Sequence, residues 1–556
     1  MERILLVEPN YKNKYPPIGL MKISSYFKGK GDFIEFHKGI MPKVNVEQFD
    51  KIFITTLFTF DFDMCIQTIK YYEAIKGSNN IFVGGIAATI MPEKFLELIP
   101  NINLLKGQLT SSNSLGYNDG VNIDLLPLDY DILWDIDYDY PAADSYFVYT
   151  SRGCPRKCKF CAVKTLEPVF YECENLKDQI HGVDEKFGVK RQLLIMDNNI
   201  LNSANFEKNV QLLINLGFGK DNSCKKNSQM RFYIASLIDR QKIGKSDCSL
   251  IKRILAEFNK INTKRISNHD KEILTPFFDA IKANNTEEFK RLLIENVQIL
   301  DDFFERYHYH KIKRIVDFNQ GLDARFFTDD VAKVMSRLEV KPCRIAFDHI
   351  ETKETYINAI KIAINHGIKD FSNYLLYNFE DTPSDLWERL YINVELCEEF
   401  SSKKLNLFSF PMKYASIEDT HRNYVGKHWN KKYLRSINII LNVTSGIVAK
   451  EKDFFVRAYG NSPEEFVEIL SMPADYIRYR KFFDEVGLAK IWRIKYNTLN
   501  ESQKTELLSI LSDITADDTA IDIQHSVELD EILKLYSITK KNFEANSMYY
   551  RREYNI

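Results

Sequence analysis

Three of the nine cysteines in this chain stand close together, as Cys154, Cys158 and Cys161. The surrounding residues read SRGCPRKCKFC, and they follow directly after a strand-like run, SYFVYT. Soft thiolates are ligands that suit iron–sulfur clusters and zinc. A four-iron cluster usually takes four cysteines, so three closely spaced thiolates would leave one iron open to another molecule. The triplet therefore predicts a metal centre at the carboxyl end of a strand.

Two other interpretations of the triplet stay open at this point. A structural zinc ion would need a fourth ligand and usually uses pairs of C-x2-C; Cys173 is the only nearby candidate. Three unligated thiols are the other alternative, although the remaining cysteines are scattered singly. The bases Arg152, Arg156, Lys157 and Lys159 favour a cluster, because they would offset the negative charge of its thiolates.

The composition of the chain limits the class of protein. It has 556 residues, of which 45% are hydrophobic and 27% charged, which is typical of globular proteins with several domains. Lysine and arginine number 75 against 77 acids, and this balance argues against a nucleic-acid partner. No apolar run is long enough for a membrane span, and the chain starts without a signal peptide. We expect a cytoplasmic protein with no membrane partner.

The elements that must position the cysteines form two α/β regions. Residues 1–110 alternate strands such as RILLVEP with helices, which predicts a doubly wound, Rossmann-like domain with a ligand at its carboxyl edge. Residues 111–145 are acidic and loop-like, and we interpret them as a linker. Six strand–helix repeats in residues 146–418 predict a partial (β/α)6 barrel. A helical insertion interrupts it at about 220–311, and residues 419–556 read as a helical domain.

The cysteine motif resembles that of the radical S-adenosylmethionine superfamily, in which an aromatic residue, here Phe160, precedes the last cysteine. YPPIGLMKISSYFKGKG, IFVGGIAATIMPEKF and LPLDYDIL are similar to segments of members that carry an amino-terminal cobalamin-binding-type domain. The resemblance covers roughly residues 1 to 415. It implies a [4Fe-4S] cluster on the three cysteines, which cleaves S-adenosylmethionine reductively, and an electron donor such as flavodoxin or ferredoxin.

The resemblance also implies that polar residues at successive strand ends contact S-adenosylmethionine. These cofactor-binding candidates are Asp197, Asn198, Asn319, Asp323, Arg325 and Asp348, together with Phe160. Carboxylate and amide oxygens suit the cofactor's ammonium group, and a guanidinium can fork onto its carboxylate. YNFEDT replaces the family's glycine-rich turn after the fifth strand, which leaves the adenine contacts open.

Cobalamin is a further cofactor that the resemblance brings into question. The Asp-x-His-x-x-Gly motif that supplies an axial histidine in many cobalamin proteins is absent, since Asp32 and His37 have the wrong spacing. Some members of this family bind cobalamin without that histidine. Gly84 and Gly85 would let a nucleotide tail approach the backbone, or would simply form a tight turn.

The leading hypothesis is thus a radical S-adenosylmethionine enzyme that starts hydrogen abstraction or a cobalamin-dependent methyl transfer. The alternative is a non-catalytic, metal-stabilised binding protein for RNA or a protein partner, which would hold zinc. No motif identifies the catalytic residues or the substrate, and a small molecule, a peptide and a nucleoside all stay open.

Overall fold

A computed structural model describes residues 1–226, 228–307, 311–448, 450–513 and 526–556. The chain divides into two compact units. The first consists of Met1–Gln320, Val334–Lys341 and Ile417–His421, and the second of Gly321–Lys333, Pro342–Ser416 and Arg422–Ile556. Among the described helices, none combines the length and the apolar character that a membrane crossing requires.

The amino-terminal part of the first unit is built on a five-stranded parallel sheet. The strands lie in the order Phe33–Lys38, Arg3–Glu8, Lys51–Thr56, Ile81–Gly85, Asn103–Leu105. The order reverses between the first and third strands in sequence, which is the switch point where such sheets hold ligands. Asn103–Leu105 is a short edge strand, which hydrophobic periodicity does not reveal.

Both faces of this sheet are covered, because successive side chains of a strand point to opposite faces. On one face, Val7, Ile54 and Val83 belong to a fully buried core with Ile69 of the Phe62–Lys76 helix. On the other face, the aromatic rings of Phe53 and Phe82 stack at 4.7 Å, and Phe27 of the Ile18–Gly29 helix packs against Phe53 at 5.4 Å. This is the arrangement that strand–helix alternation predicts.

A second parallel sheet in the first unit positions the cysteines. Its strands lie in the order Ile315–Phe318, Gln192–Ile195, Ser145–Val148. Two-stranded antiparallel ribbons join Ser151–Arg152 to Tyr171–Glu172 and Cys224–Lys225 to Lys311–Ile312. The other helices of this unit are Lys43–Val46, Ile86–Ile90, Pro92–Leu98, Val163–Leu166, Leu176–Phe187, Phe206–Leu213, Met230–Ile243, Cys248–Asn259, Asn268–Lys282, Thr286–Glu295 and Val297–Tyr307. The last five lie in the region of the predicted insertion, which itself stays a prediction.

The second unit contains the parallel pair Asp370–Tyr377 and Asn406–Lys413. CRIAFDHI (residues 343–350) follows one of the predicted strand–helix repeats and makes isolated parallel bridges, from Cys343 to Phe371 and from Ile345 to Leu322. The helices of this unit are Lys353–Asn365, Pro383–Glu399, Lys431–Val443, Lys452–Tyr459, Pro463–Ser471, Ala474–Arg478, Arg480–Glu485, Leu488–Thr498, Glu501–Asp513, Val527–Leu533, Lys540–Ala545 and Ser547–Glu553. Asp329–Met335 crosses the division between the units.

The chain is therefore a mixed α/β protein with parallel sheets and many helices. The strands of the predicted barrel are divided between the two units, and the barrel and the domain boundaries stay predictions.

Candidate functional site

The three cysteines lie on a loop, residues 153–162, that starts just after the Ser145–Val148 strand and that we call the cysteine loop. All three thiols are half-buried. The antiparallel pairing of Ser151 with Glu172 and Arg152 with Tyr171 closes the base of the loop, and the Cys173 N–H donates to the Thr150 carbonyl at 2.8 Å. The loop is thus held at both ends by backbone hydrogen bonds.

Gly153 begins the loop in a conformation that only glycine adopts easily. Its φ is +75°, and a Cβ atom there would lie 2.2 Å from the Val169 carbonyl oxygen. The close approach of the Val169 backbone therefore requires glycine at this position of the SRGC sequence.

Asp197, a predicted cofactor ligand, anchors the base of the cysteine loop. Its buried carboxylate accepts hydrogen bonds from the Thr150 N–H at 2.8 Å and from the hydroxyls of Thr150 and Ser151 at 2.6 Å each. Burial raises the pKa of Asp197 to about 6, although these hydrogen bonds act to lower it. Both carboxylate oxygens are thus bonded to the residues just before the loop, and contact with a cofactor stays a prediction.

A chain of buried charges runs from the cysteine loop to the amino-terminal helix. Glu167 accepts from the Gly153 N–H at 2.7 Å and pairs with Arg152 at 2.7 Å. Arg152 also pairs with Asp124 at 3.2 Å, and Lys22 lies 3.0 Å from the same carboxylate. Burial disfavours the charge on Arg152, but the neighbouring Tyr149, Asp124 and Glu167 outweigh it and raise the pKa.

The predicted residues Asn198 and Phe160 lie in the same region, with the neighbouring Asn199. The Asn198 amide donates to Glu167 at 2.7 Å. The buried Asn199 Nδ2 lies 3.7 Å from the Cys154 sulfur, a distance for a weak N–H···S hydrogen bond. Its Oδ1 is buried without a hydrogen-bond partner among the residues that the structure describes. Phe160 is half-buried on the loop itself.

The three cysteines are the donor set of the predicted metal centre. In the described part of the chain, no three or more His, Cys, Asp or Glu side chains gather closely enough to hold a metal ion. A cubane cluster binds each thiolate on a different iron, so its ligands need not converge on one point. Three soft donors on one loop, with an amide N–H beside Cys154, fit such a cluster.

A cavity of about 410 Å³ lies between the carboxyl edge of the amino-terminal sheet and the strand that leads to the cysteine loop. It is in the size range of small-molecule sites. The sheet contributes Glu8, Thr56 and Gly84, and the other wall includes Tyr149 and Arg152.

Asn319, a predicted cofactor ligand, also lines this cavity. It is buried, and its Oδ1 accepts from the Tyr15 hydroxyl at 2.9 Å while its Nδ2 lies 3.7 Å from the Met196 sulfur. Asn319 therefore lines the cavity together with the YPPIG segment (residues 15–19).

Gly84 and Gly85 form a tight turn against Thr56. Gly85 has a φ of +105°, and a Cβ atom there would lie 2.3 Å from the Thr56 carbonyl oxygen. The Thr56 hydroxyl in turn donates to the Gly84 carbonyl at 2.9 Å. The turn alone therefore requires the second glycine.

No histidine belongs to the described lining of this cavity, so the cavity offers no axial histidine to a cobalamin. His37 is half-buried in the Phe33–Lys38 strand, and burial lowers its pKa. The residues present therefore do not fit a cobalamin that is held by an axial histidine from this lining.

The remaining predicted residues, Asp323, Arg325 and Asp348, belong to the second unit. The Arg325 guanidinium forks onto Asp323, with contacts of 2.7 and 2.8 Å. Burial raises the pKa of Asp348, and the charges of His349, Arg389 and Arg325 act against that rise. The fork of Arg325 is thus engaged by Asp323, and contact of these three residues with a cofactor stays a prediction.

The turn after Tyr377 shows how asparagine replaces glycine. Asn378 has a φ of +69°, a region that asparagine tolerates better than most residues. Its fully buried amide donates to the Tyr414 and Tyr424 carbonyls at 3.0 Å each and accepts from the Gly426 N–H at 2.8 Å. The amide thus ties three segments together, which glycine cannot do.

Comparisons with known proteins include a distant structural likeness. No protein-family model matches the chain, and no curated protein matches it. Among solved structures, it is similar to the apo, selenomethionine-labelled cobalamin-dependent S-adenosylmethionine radical enzyme OxsB. The identity is 12% and the TM-score 0.39, over 100% of this chain and 80% of that chain. A likeness at this level assigns neither cofactor nor reaction to this chain.

Proposed function

We propose that this chain is a radical S-adenosylmethionine enzyme with a [4Fe-4S] cluster on Cys154, Cys158 and Cys161. One observation carries the proposal. The C-x3-C-x2-C loop follows the first strand of a parallel sheet, and polar side chains after the neighbouring strand make hydrogen bonds to the start of this loop region. Asp197 holds Thr150 and Ser151, and Asn199 lies beside the Cys154 sulfur. When bound and reduced, such a cluster supplies the electron that cleaves S-adenosylmethionine to a 5′-deoxyadenosyl radical.

The chain's own residues would hold the cysteine loop in place and exclude water from its surroundings. Glu167 holds the Gly153 N–H, and the buried Arg152 holds Glu167. The adjacent cavity is lined largely by apolar and aromatic side chains, among them Phe53, Phe58 and Tyr149. An enclosure of this kind limits the access of water to a reactive intermediate. The substrate is not assigned, and the electron donor is proposed only by class, as a flavodoxin or ferredoxin.

The test is production of 5′-deoxyadenosine by protein reconstituted without oxygen and supplied with S-adenosylmethionine and a strong reductant. We expect turnover by the parent and none by Cys158→Ala. Cys173→Ala is the matched control, because Cys173 is half-buried at the base of the same loop and is not a ligand in the proposal.

The control also separates the alternative. A zinc-stabilised binding protein that used Cys173 as its fourth ligand would lose its metal in Cys173→Ala and make no 5′-deoxyadenosine in any form. Parental turnover by Cys158→Ala would show that the cluster assignment is wrong.

A further inference from the structure

The second unit has a cavity of its own, of about 590 Å³, among carboxyl-terminal helices. Its walls come from the Lys431–Val443 and Lys452–Tyr459 helices and from residues 477–485. The apolar part of the lining includes Ile440, Phe454, Ile477 and Phe482. This volume lies within the range of small-molecule sites. Neither the cysteine loop nor any candidate for cofactor contact belongs to this lining.

The charged part of the lining has an excess of positive charge. Arg457, Arg478, Arg480 and Lys481 line the cavity, against a single acid, Glu485. The chain as a whole carries a formal charge of only −2, so this concentration of cations is local. A concave, low-dielectric site lined by one sign of charge attracts ligands of the other sign.

The ion pairs around the cavity are weak enough for a ligand to replace. Arg478 lies 3.3 Å from Asp475, and Lys481 lies 3.7 Å from Glu485, with both cations substantially exposed. Pairs of this kind contribute about 0–1 kcal/mol each. Arg480 is different, because its Nη1 is buried and has no hydrogen-bond partner within the described ranges of the chain. Burial and the nearby Arg493 both disfavour its charge, while Asp484, Glu465 and Glu468 favour it from a distance.

We propose that this cavity binds a phosphomonoester with an apolar body. Guanidinium groups match phosphate oxygens with paired hydrogen bonds, and three arginines are among the residues that line this cavity. A phosphomonoester carries close to two negative charges at neutral pH, which suits an excess of cations better than a single carboxylate does. The apolar lining supplies a surface for the rest of the molecule. This proposal does not depend on the radical chemistry proposed for the first unit.

The test is isothermal titration calorimetry of the full-length protein with 1-naphthyl phosphate. We expect saturable binding of one molecule per chain. Inorganic phosphate and 1-naphthol are the comparison ligands, and each should bind at least about tenfold more weakly, because each lacks one half of the recognition. Equal binding of either would overturn the proposal, as would a lack of saturable binding at a probe concentration on the order of 1 mM.

Two charge-matched variants locate the site. Arg457→Gln/Lys481→Gln removes two exposed cations of the lining and should weaken 1-naphthyl phosphate about tenfold. Lys490→Gln/Lys541→Gln removes two exposed cations outside the lining and should leave the affinity unchanged. Equal weakening in both variants would show that only the overall charge matters and would refute the site. Circular dichroism confirms that both variants are folded.

Discussion

Asp197 should be a stability determinant of the cysteine loop, and Asp197→Ala tests this directly. The substitution leaves the Thr150 N–H and the hydroxyls of Thr150 and Ser151 without their acceptor. A buried donor without a partner costs about 1–3 kcal/mol, and hydroxyls can turn toward other acceptors while an N–H cannot. We therefore expect a local loss of about 3 kcal/mol, dominated by the backbone N–H.

Hydrogen–deuterium exchange measures this loss where it occurs. A loss of about 3 kcal/mol corresponds to roughly a hundredfold faster exchange, in a peptide that covers residues 145–153. Asp239→Ala is the control, because Asp239 is exposed on the Met230–Ile243 helix of the same unit. If the two variants exchange equally in that peptide, the anchoring role of Asp197 is refuted.

The pH dependence of stability gives a second test of Asp197. The pKa of Asp197 is about 6 in the folded chain against an ordinary 3.8, so the folded state binds more protons between these values. The part of its contribution to stability that depends on protonation is therefore largest below about pH 4 and is lost as the pH rises through 6, while the hydrogen bonds to the carboxylate remain. Relative to Asp197→Asn, which cannot ionise, the parent should lose up to about 3 kcal/mol between pH 4 and 7. A difference that does not change with pH would contradict the raised pKa.

Three further substitutions test the structure elsewhere. Gly85→Ala should destabilise the fold by more than about 1 kcal/mol, because its Cβ would clash with Thr56 at a φ of +105°. Gly29→Ala is the control, since no atom lies within 4 Å of its Cβ position, and thermal melting compares the two variants. Asn378→Gly should lower the melting temperature, because it removes three hydrogen bonds. Asn378→Ala should lower it further, because alanine adds strain at a φ of +69°. Equal melting temperatures of the two variants would contradict this order. Arg389→Met should cost about 3–5 kcal/mol by leaving the buried Asp381 carboxylate without its cation, and urea unfolding that matches the parent would refute it.

Local features of the site could be predicted from the sequence. The cysteine spacing and the strand before it are adjacent in the chain, so their relation needs no knowledge of the fold. Asp197 was singled out because it follows a strand, and the structure does bring it to the cysteine loop. Its partners, Thr150 and Ser151, directly precede that loop.

The charged chain behind the loop could not be predicted in this way. Lys22 and Asp124 are 102 residues apart, and the Asp124 carboxylate contacts both Lys22 and Arg152 only in the folded chain. The one sequence signal was a lysine on an otherwise apolar face of the Ile18–Gly29 helix. The turn at Asn378 was equally hidden, because its amide partners come from segments 36 to 48 residues away.

The central claim is that Cys154, Cys158 and Cys161 hold an iron–sulfur cluster. Its most direct test is the iron, zinc and cobalt content of protein expressed with cobalamin available and purified without oxygen, by plasma mass spectrometry. The account predicts about four irons per chain, and none in Cys158→Ala. Cobalt at one per chain would add cobalamin to the proposal. One zinc per chain in place of iron would contradict the account.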